Sequence, residues 1–162
     1  MVSIGLTGHR PPRLGYETDI LKDKRWYPII DWIKEKLKEC GATDIYCGMA
    51  VGSDMAFAAA ALELKDEGYD IKIHCVYPCQ GYNSFRMKTY PFAILAEDAD
   101  EHIYLNETWS NSAEDARDQY VVDKSDILFA IWDGNEGGGT YSTIQRAKAK
   151  GIEVICYPKE LL

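Results

Sequence analysis

The strongest constraint on this chain is an alternation. Short apolar runs at Val2–Thr7, Asp44–Cys47, Ile71–Val76, His102–Leu105, Ile127–Trp132 and Glu153–Tyr157 read as strands. Most are rich in β-branched or aromatic residues and close at Gly, Pro or Asn. Helical spacing fills the intervals. Trp26, Ile29, Ile30, Ile33, Leu37 and Cys40 form a one-sided apolar stripe that Gly41 ends. Further helices are predicted over Ser53–Glu67, Asn83–Glu97 with a break at Pro91, Ser112–Lys124 and Thr140–Lys150. Such repetition builds a parallel sheet with helices on both faces, because each crossover helix must bury its apolar stripe on the sheet. The prediction is an α/β fold: one three-layer domain spanning residues 1–162, with a mainly parallel sheet of about six strands. The irregular stretch from Gly8 to Lys24 reads as a functional or mobile loop.

In open α/β sheets, ligands bind beyond the carboxyl ends of the strands, and the unusual residues of this chain gather there. After the fifth strand, Asp133 and Gly134 lead to Gly137-Gly138-Gly139-Thr140 and a helix whose first candidate cap is Thr140. Glycine lets the backbone approach a ligand, and a helix start offers unpaired N–H groups, so this turn can cradle a phosphate or carboxylate. The turn after the second strand repeats the pattern: Gly48 and Gly52 flank it, and Ser53 and Asp54 open an alanine-rich helix. Asp54 can accept from ribose hydroxyls or serve as an acid or base. The loop after the first strand, with Gly8, His9, Arg10 and Arg13, supplies fixed positive charge that forks onto phosphate oxygens. Trp132, beside the glycine turn, either stacks on a base or packs at the strand edge. Candidate catalytic groups are Asp54, Asp133 and His9.

Several function classes are disfavoured. No P-loop Lys and no G-x-G-x-x-G follows the first strand, which argues against a standard ATPase or dinucleotide dehydrogenase. The histidines and the Cys75/Cys79 pair lack metal-ligand spacing, so no metal is expected. Lys plus Arg total 18 against 26 Asp plus Glu, a formal charge of −8. Residues 1–80 carry 10 basic and 12 acidic side chains, and residues 81–162 carry 8 and 14. That field opposes diffuse phosphate-backbone contact, so no general nucleic-acid binding is expected. The acidic run Glu97–Glu101 reads as a solvated helix end and loop. Neither a membrane-length apolar run nor a signal-peptide pattern is visible. Five cysteines, mostly in apolar segments, suit buried free thiols in a reducing cytoplasm. Trp32 falls off the stripe of the first long helix and is a weak pointer to a homodimer.

Taken in order, these motifs resemble one family. Gly8-His9-Arg10, Gly48-Met49-Ala50-x-Gly52-x-Asp54, Tyr120-Val121-Val122-Asp123-x-Ser125-Asp126, Trp132-Asp133-Gly134 and Gly138-Gly139-Thr140 look like the YpsA-like group of the SLOG superfamily. That superfamily comprises Rossmann-like proteins related to DprA and to the LOG cytokinin-activating enzymes. The resemblance implies a Rossmann-like domain that binds a nucleotide or nucleotide-derived ligand through Gly8, Arg10, Gly48, Gly52, Asp54, Gly138, Gly139 and Thr140. One departure is informative. LOG-type phosphoribohydrolases carry a catalytic Glu in the turn after the glycines, where this chain has Thr143. A threonine hydroxyl cannot act as a carboxylate acid or base near neutral pH, which argues against that mechanism.

Three functions follow as expectations. The first is a sensor or sequestering module for a small phosphorylated nucleotide such as ADP-ribose or NAD; no cofactor is assigned, and the nucleotide ligand is the one candidate. The second is a hydrolase or transferase acting on the N-glycosidic or phosphate-ester bond of a nucleotide. The third is a scaffold whose pocket has decayed.

Overall fold

A computed structural model describes residues 1–82 and 84–162. Six strands form one sheet: β1 (Ser3–Gly8), β2 (Asp44–Cys47), β3 (Lys72–Tyr77), β4 (Glu101–Tyr104), β5 (Ile127–Ile131) and β6 (Glu153–Cys156). Their spatial order is β4-β3-β2-β1-β5-β6, and all five neighbouring pairs are parallel. The helices between them are α1 (Pro11–Leu14), α2 (Trp26–Cys40), α3 (Ser53–Asp66), α4 (Phe92–Asp98), α5 (Ala113–Lys124) and α6 (Gly138–Lys150). This is a Rossmann-like α/β fold.

The pleat of β5 divides the core in two. Phe129 and Ile131 belong to a large cluster with residues of α2, α3 and α4, whereas Leu128 and Ala130 join a smaller cluster with Val122 of α5 and Ile144 and Ala147 of α6. Successive strand residues point to opposite faces, so the two helix groups cover opposite sides of the sheet. The predicted stripe on α2 is buried at Trp26, Ile29, Ile30, Ile33 and Leu37. Ala58–Ala61 are all buried, and these small side chains let α3 pack closely on β1, β2 and α2.

The chain runs outward from β1 to β4 and then returns to place β5 on the other side of β1. The order reverses between β1 and β5, so the loops leaving their carboxyl ends diverge and open a crevice there.

Some sequence expectations shift. β4 and β3 start and end a residue away from the predicted runs, because parallel register is set by backbone pairing rather than by where apolarity begins. The stretch from Gly8 to Lys24 is not wholly irregular. Its two prolines preset the start of α1. Asp23 then ties the remainder, accepting from the Glu17 N–H at 3.0 Å and from the Arg25 guanidinium. The helix expected over Asn83–Glu97 is a 3-10 turn at Ser84–Arg86 followed by α4, with the predicted break at Pro91; Asn83 lies outside the described residues. Trp32 is not a free surface aromatic, since it packs edge-on against Phe129 and Tyr157. The acidic run is partly structural: Asp100 accepts from Lys65 and from the Ile73 N–H, both at 2.8 Å. All five cysteines are free thiols, but Cys156 is exposed and Cys40 half-buried. Among the described residues, no helix is long and apolar enough to cross a membrane.

Candidate functional site

A cavity of about 290 Å³ opens at the reversal point. That is near the lower end of the roughly 300–1,000 Å³ range of small-molecule pockets. Its walls come from the ends of β1 and β2, one face of α5 from Glu114 to Val121, the start of α6, and Asp54 at the start of α3. Of the residues singled out in the sequence, Gly8, His9, Arg10, Arg13, Gly48, Asp54, Gly139 and Thr140 line it. Gly52, Ser53, Trp132, Asp133, Gly137 and Gly138 stand behind or beside that lining.

The loop after β1 is fixed by its neighbours. The Asp133 N–H donates to His9 Nε2 at 3.1 Å, which makes the neutral ring an acceptor joining the ends of β1 and β5. Burial lowers the His9 pKa, although the Asp133 carboxylate at 3.2 Å opposes this. Arg13 forks onto Asp133, with Nε at 3.0 Å from Oδ2 and Nη2 at 3.3 Å from Oδ1, and also donates to the Gly137 carbonyl. Asp133 is partly desolvated, yet the hydrogen bonds from Arg13 and the Asn135 N–H hold its carboxyl well below the usual range. Arg10 pairs with Glu114 on α5. The two arginines therefore meet the cavity already oriented by carboxylates.

The turn after β2 is packed. The Ser53 hydroxyl donates to the His9 carbonyl at 2.7 Å. A Cβ at Gly52 would stand 2.8 Å from Pro11 Cδ and 3.2 Å from the Trp26 ring, and Gly52 has φ +87°. Both residues thus hold the β1 loop against α3 instead of facing the cavity. Asp54 does face it. Burial pushes its carboxyl up to about 6, while Arg117 and the Ala50 N–H, which donates at 3.0 Å, pull the other way.

The turn after β5 is open. α6 begins at Gly138, so Thr140 stands in the first turn rather than at the cap, and Gly137 occupies the cap position with no side-chain cap bond. The first N–H groups of such a helix have no intrahelical partner. Thr143 lines the cavity, and its hydroxyl donates to the Gly139 carbonyl at 2.8 Å, which commits it to the backbone. Trp132 turns away: its indole N–H donates to the Asn135 carbonyl at 2.9 Å and its ring stacks on Tyr141.

Sequence reading overlooked the wall contributed by α5. Arg117 is 5% exposed, donates to the Gly48 carbonyl at 2.7 Å and pairs with Asp118 at 2.8 Å. Burial alone would lower its pKa, but Asp118 and Asp54 more than offset this and keep it cationic. A signal was present. Glu114, Arg117, Asp118 and Val121 fall at i, i+3, i+4 and i+7, so charged groups share a helix face with a core residue.

Fold, reversal-point crevice and glycine-bearing helix starts together define a Rossmann-like domain of the SLOG class. The chain belongs to the YspA SLOG family, which matches it over residues 4–157. It is similar to the UPF0398 proteins of Bacillus thuringiensis (strain Al Hakam) and Bacillus cereus (strain AH187). Each is 25% identical over 162 residues, covering 93% of this chain and 85% of the relative.

Proposed function

We propose that the protein binds a small phosphorylated nucleotide or nucleotide-derived ligand, of the ADP-ribose or NAD kind, as a cytoplasmic sensor or sequestering module. One observation carries this reading: the open start of α6, Arg10 and Arg13, and the buried charged groups of Asp54 and Arg117 converge on a single cavity at the sheet's reversal point. Phosphate oxygens would take the N–H groups of Gly139 and Thr140, with Arg10 and Arg13 as counter-charge. Asp54 and Asp118 would accept from ribose hydroxyls. The net charge of −8 is not concentrated at the cavity, whose lining sets Arg10, Arg13 and Arg117 against Asp54, Glu114 and Asp118.

The test is a rise in melting temperature with ADP-ribose, NAD, AMP or a cyclic nucleotide at millimolar concentration, since a ligand that binds only the native state stabilises it. No shift with any of them would refute the reading.

A second reading has one observation in its favour. A cavity carboxyl that titrates near 6 suits a general acid or base. In that case the protein hydrolyses an N-glycosidic bond, with Asp54 protonating the leaving base while water adds to the sugar. Incubation with NAD or nucleoside monophosphates would release base, and Asp54→Asn would abolish the release. Equal rates in wild type and variant would sink this alternative.

A further inference from the structure

The cavity just described holds sugar and phosphate chemistry but no aromatic wall, since none of its lining residues is Phe, Tyr, Trp or His other than His9. A nucleotide base seated there would leave its faces uncovered. An aromatic surface lies further along the same sheet edge. Tyr82, in the loop after β3, and Trp109, in the loop after β4, have ring planes 5° from parallel and centroids 6.4 Å apart. Trp109 is 53% exposed, a large aromatic face left to solvent. Tyr82 packs one side on the main core.

Position and rigidity connect this pair to the cavity. The Tyr82 phenol stands near Arg10 and Arg117, both cavity-wall residues. In the order β4-β3-β2-β1-β5, the loops after β3 and β4 stand two and three strand spacings, roughly 10 and 14 Å, from the Arg10 loop after β1, and one spacing more from the α6 start. A mononucleotide whose phosphate meets Arg10 bridges the shorter interval, to the Tyr82 ring that Trp109 stacks on. The two aromatic-bearing loops are also bound together. The Gln80 N–H donates to the Asn106 carbonyl at 2.9 Å, and the Asn106 side-chain amide donates to the Pro78 carbonyl at 3.0 Å. The rings therefore sit on a braced platform.

We infer that Tyr82 and Trp109 form a base-stacking subsite, so that the ligand of this protein carries a heteroaromatic ring as well as a phosphorylated sugar. The inference rests on the nucleotide-binding reading above. It gives Trp109, rather than Trp132, the stacking role.

The experiment compares AMP with ribose 5-phosphate on the full chain by titration calorimetry. Stacking on an aromatic side chain corresponds to roughly a 5- to 100-fold gain in affinity, so AMP binds tighter than ribose 5-phosphate by that factor. Trp109→Ala and Tyr82→Ala each erase most of the advantage and leave ribose 5-phosphate affinity unchanged, whereas Trp109→Phe keeps it. Tryptophan fluorescence changes on AMP binding in the wild type and not in Trp109→Phe. If both ligands bind equally, or the AMP advantage survives both alanine variants, the subsite is overturned while the phosphate-binding cavity stands. If neither ligand binds the wild type, the nucleotide reading falls and the subsite falls with it.

Discussion

The turns after β2 and after β5 look alike in sequence: each places glycine before a helix with a hydroxyl residue near its start. In the folded chain they differ. At the start of α3, Gly52 is wedged against Pro11 and Trp26, and Ser53 is fully buried on the His9 carbonyl. At the start of α6, a Cβ on Gly137 or Gly139 would meet nothing within 4 Å, and one on Gly138 would meet only Arg13 Nη1. The first turn needs glycine because the protein itself fills the space. The second leaves its space open, and its Gly137 and Gly138 serve a backbone at φ +96° and +86°. A glycine-rich turn is therefore a sign of close approach, and only packing tells whether the approaching group belongs to the protein or to a ligand.

Variants can break this contrast. The largest effect is expected on the packed side from Arg117→Ala, which removes the guanidinium that holds the Gly48 carbonyl and leaves Asp54 and Asp118 without their buried partner. Truncating one member of a buried charged pair costs about 3–5 kcal/mol, to be read in a chemical denaturation curve. Gly52→Ala comes next, because it combines a left-handed backbone with a clash against the Pro11 ring. A loss of about 3 kcal/mol, or a fall of about 6–12 °C in melting temperature for a chain of this size, is expected. A change below about 2 °C would contradict the packed role.

Asp54 gives a pH-dependent test. Its native pKa, about 6, lies above the ordinary carboxylate value of 3.8. Between those values the native state binds more protons than the unfolded chain, so stability falls as pH rises through that window. Asp54→Asn is expected to flatten this fall, with a wild-type-minus-variant difference of at most about 3 kcal/mol when denaturation is followed from pH 4 to 7. A difference that does not change with pH would argue that Asp54 is ordinary.

The smallest stability effect belongs to Gly139→Ala, where the added methyl finds open space. Its melting temperature should stay within about 2 °C of wild type. The same methyl would obstruct a phosphate on the α6 start, so affinity for AMP is expected to fall about tenfold or more. Unchanged affinity together with unchanged stability would show that the open turn is not a binding surface.

The fold was legible because β-rich runs and helical stripes alternate without ambiguity, and α2 shows how far one clean stripe goes. Trp26, Ile29, Ile30, Ile33 and Leu37 are buried as their spacing predicts. Two kinds of information were hidden. Which turn is filled depends on Pro11 and Trp26, residues distant in sequence from Gly52. The α5 wall was missed because Glu114, Arg117 and Asp118 resemble a solvated charged face until the fold sets them against Gly48. The preference of hydroxyl residues for helix caps points to Thr140, but in this chain glycine fills the cap and Thr140 stands in the first turn.

The rim of the sheet carries a last consequence. Both outermost strands, β4 and β6, are only four residues long, and each begins with an exposed glutamate, Glu101 and Glu153. An unpaired strand edge invites growth by a second chain, and brevity with a charge at the entry discourages it. A filament adding strand by strand to either rim would meet a carboxylate first and find little backbone to grip. Acidity at the rim thus guards the sheet against its own kind.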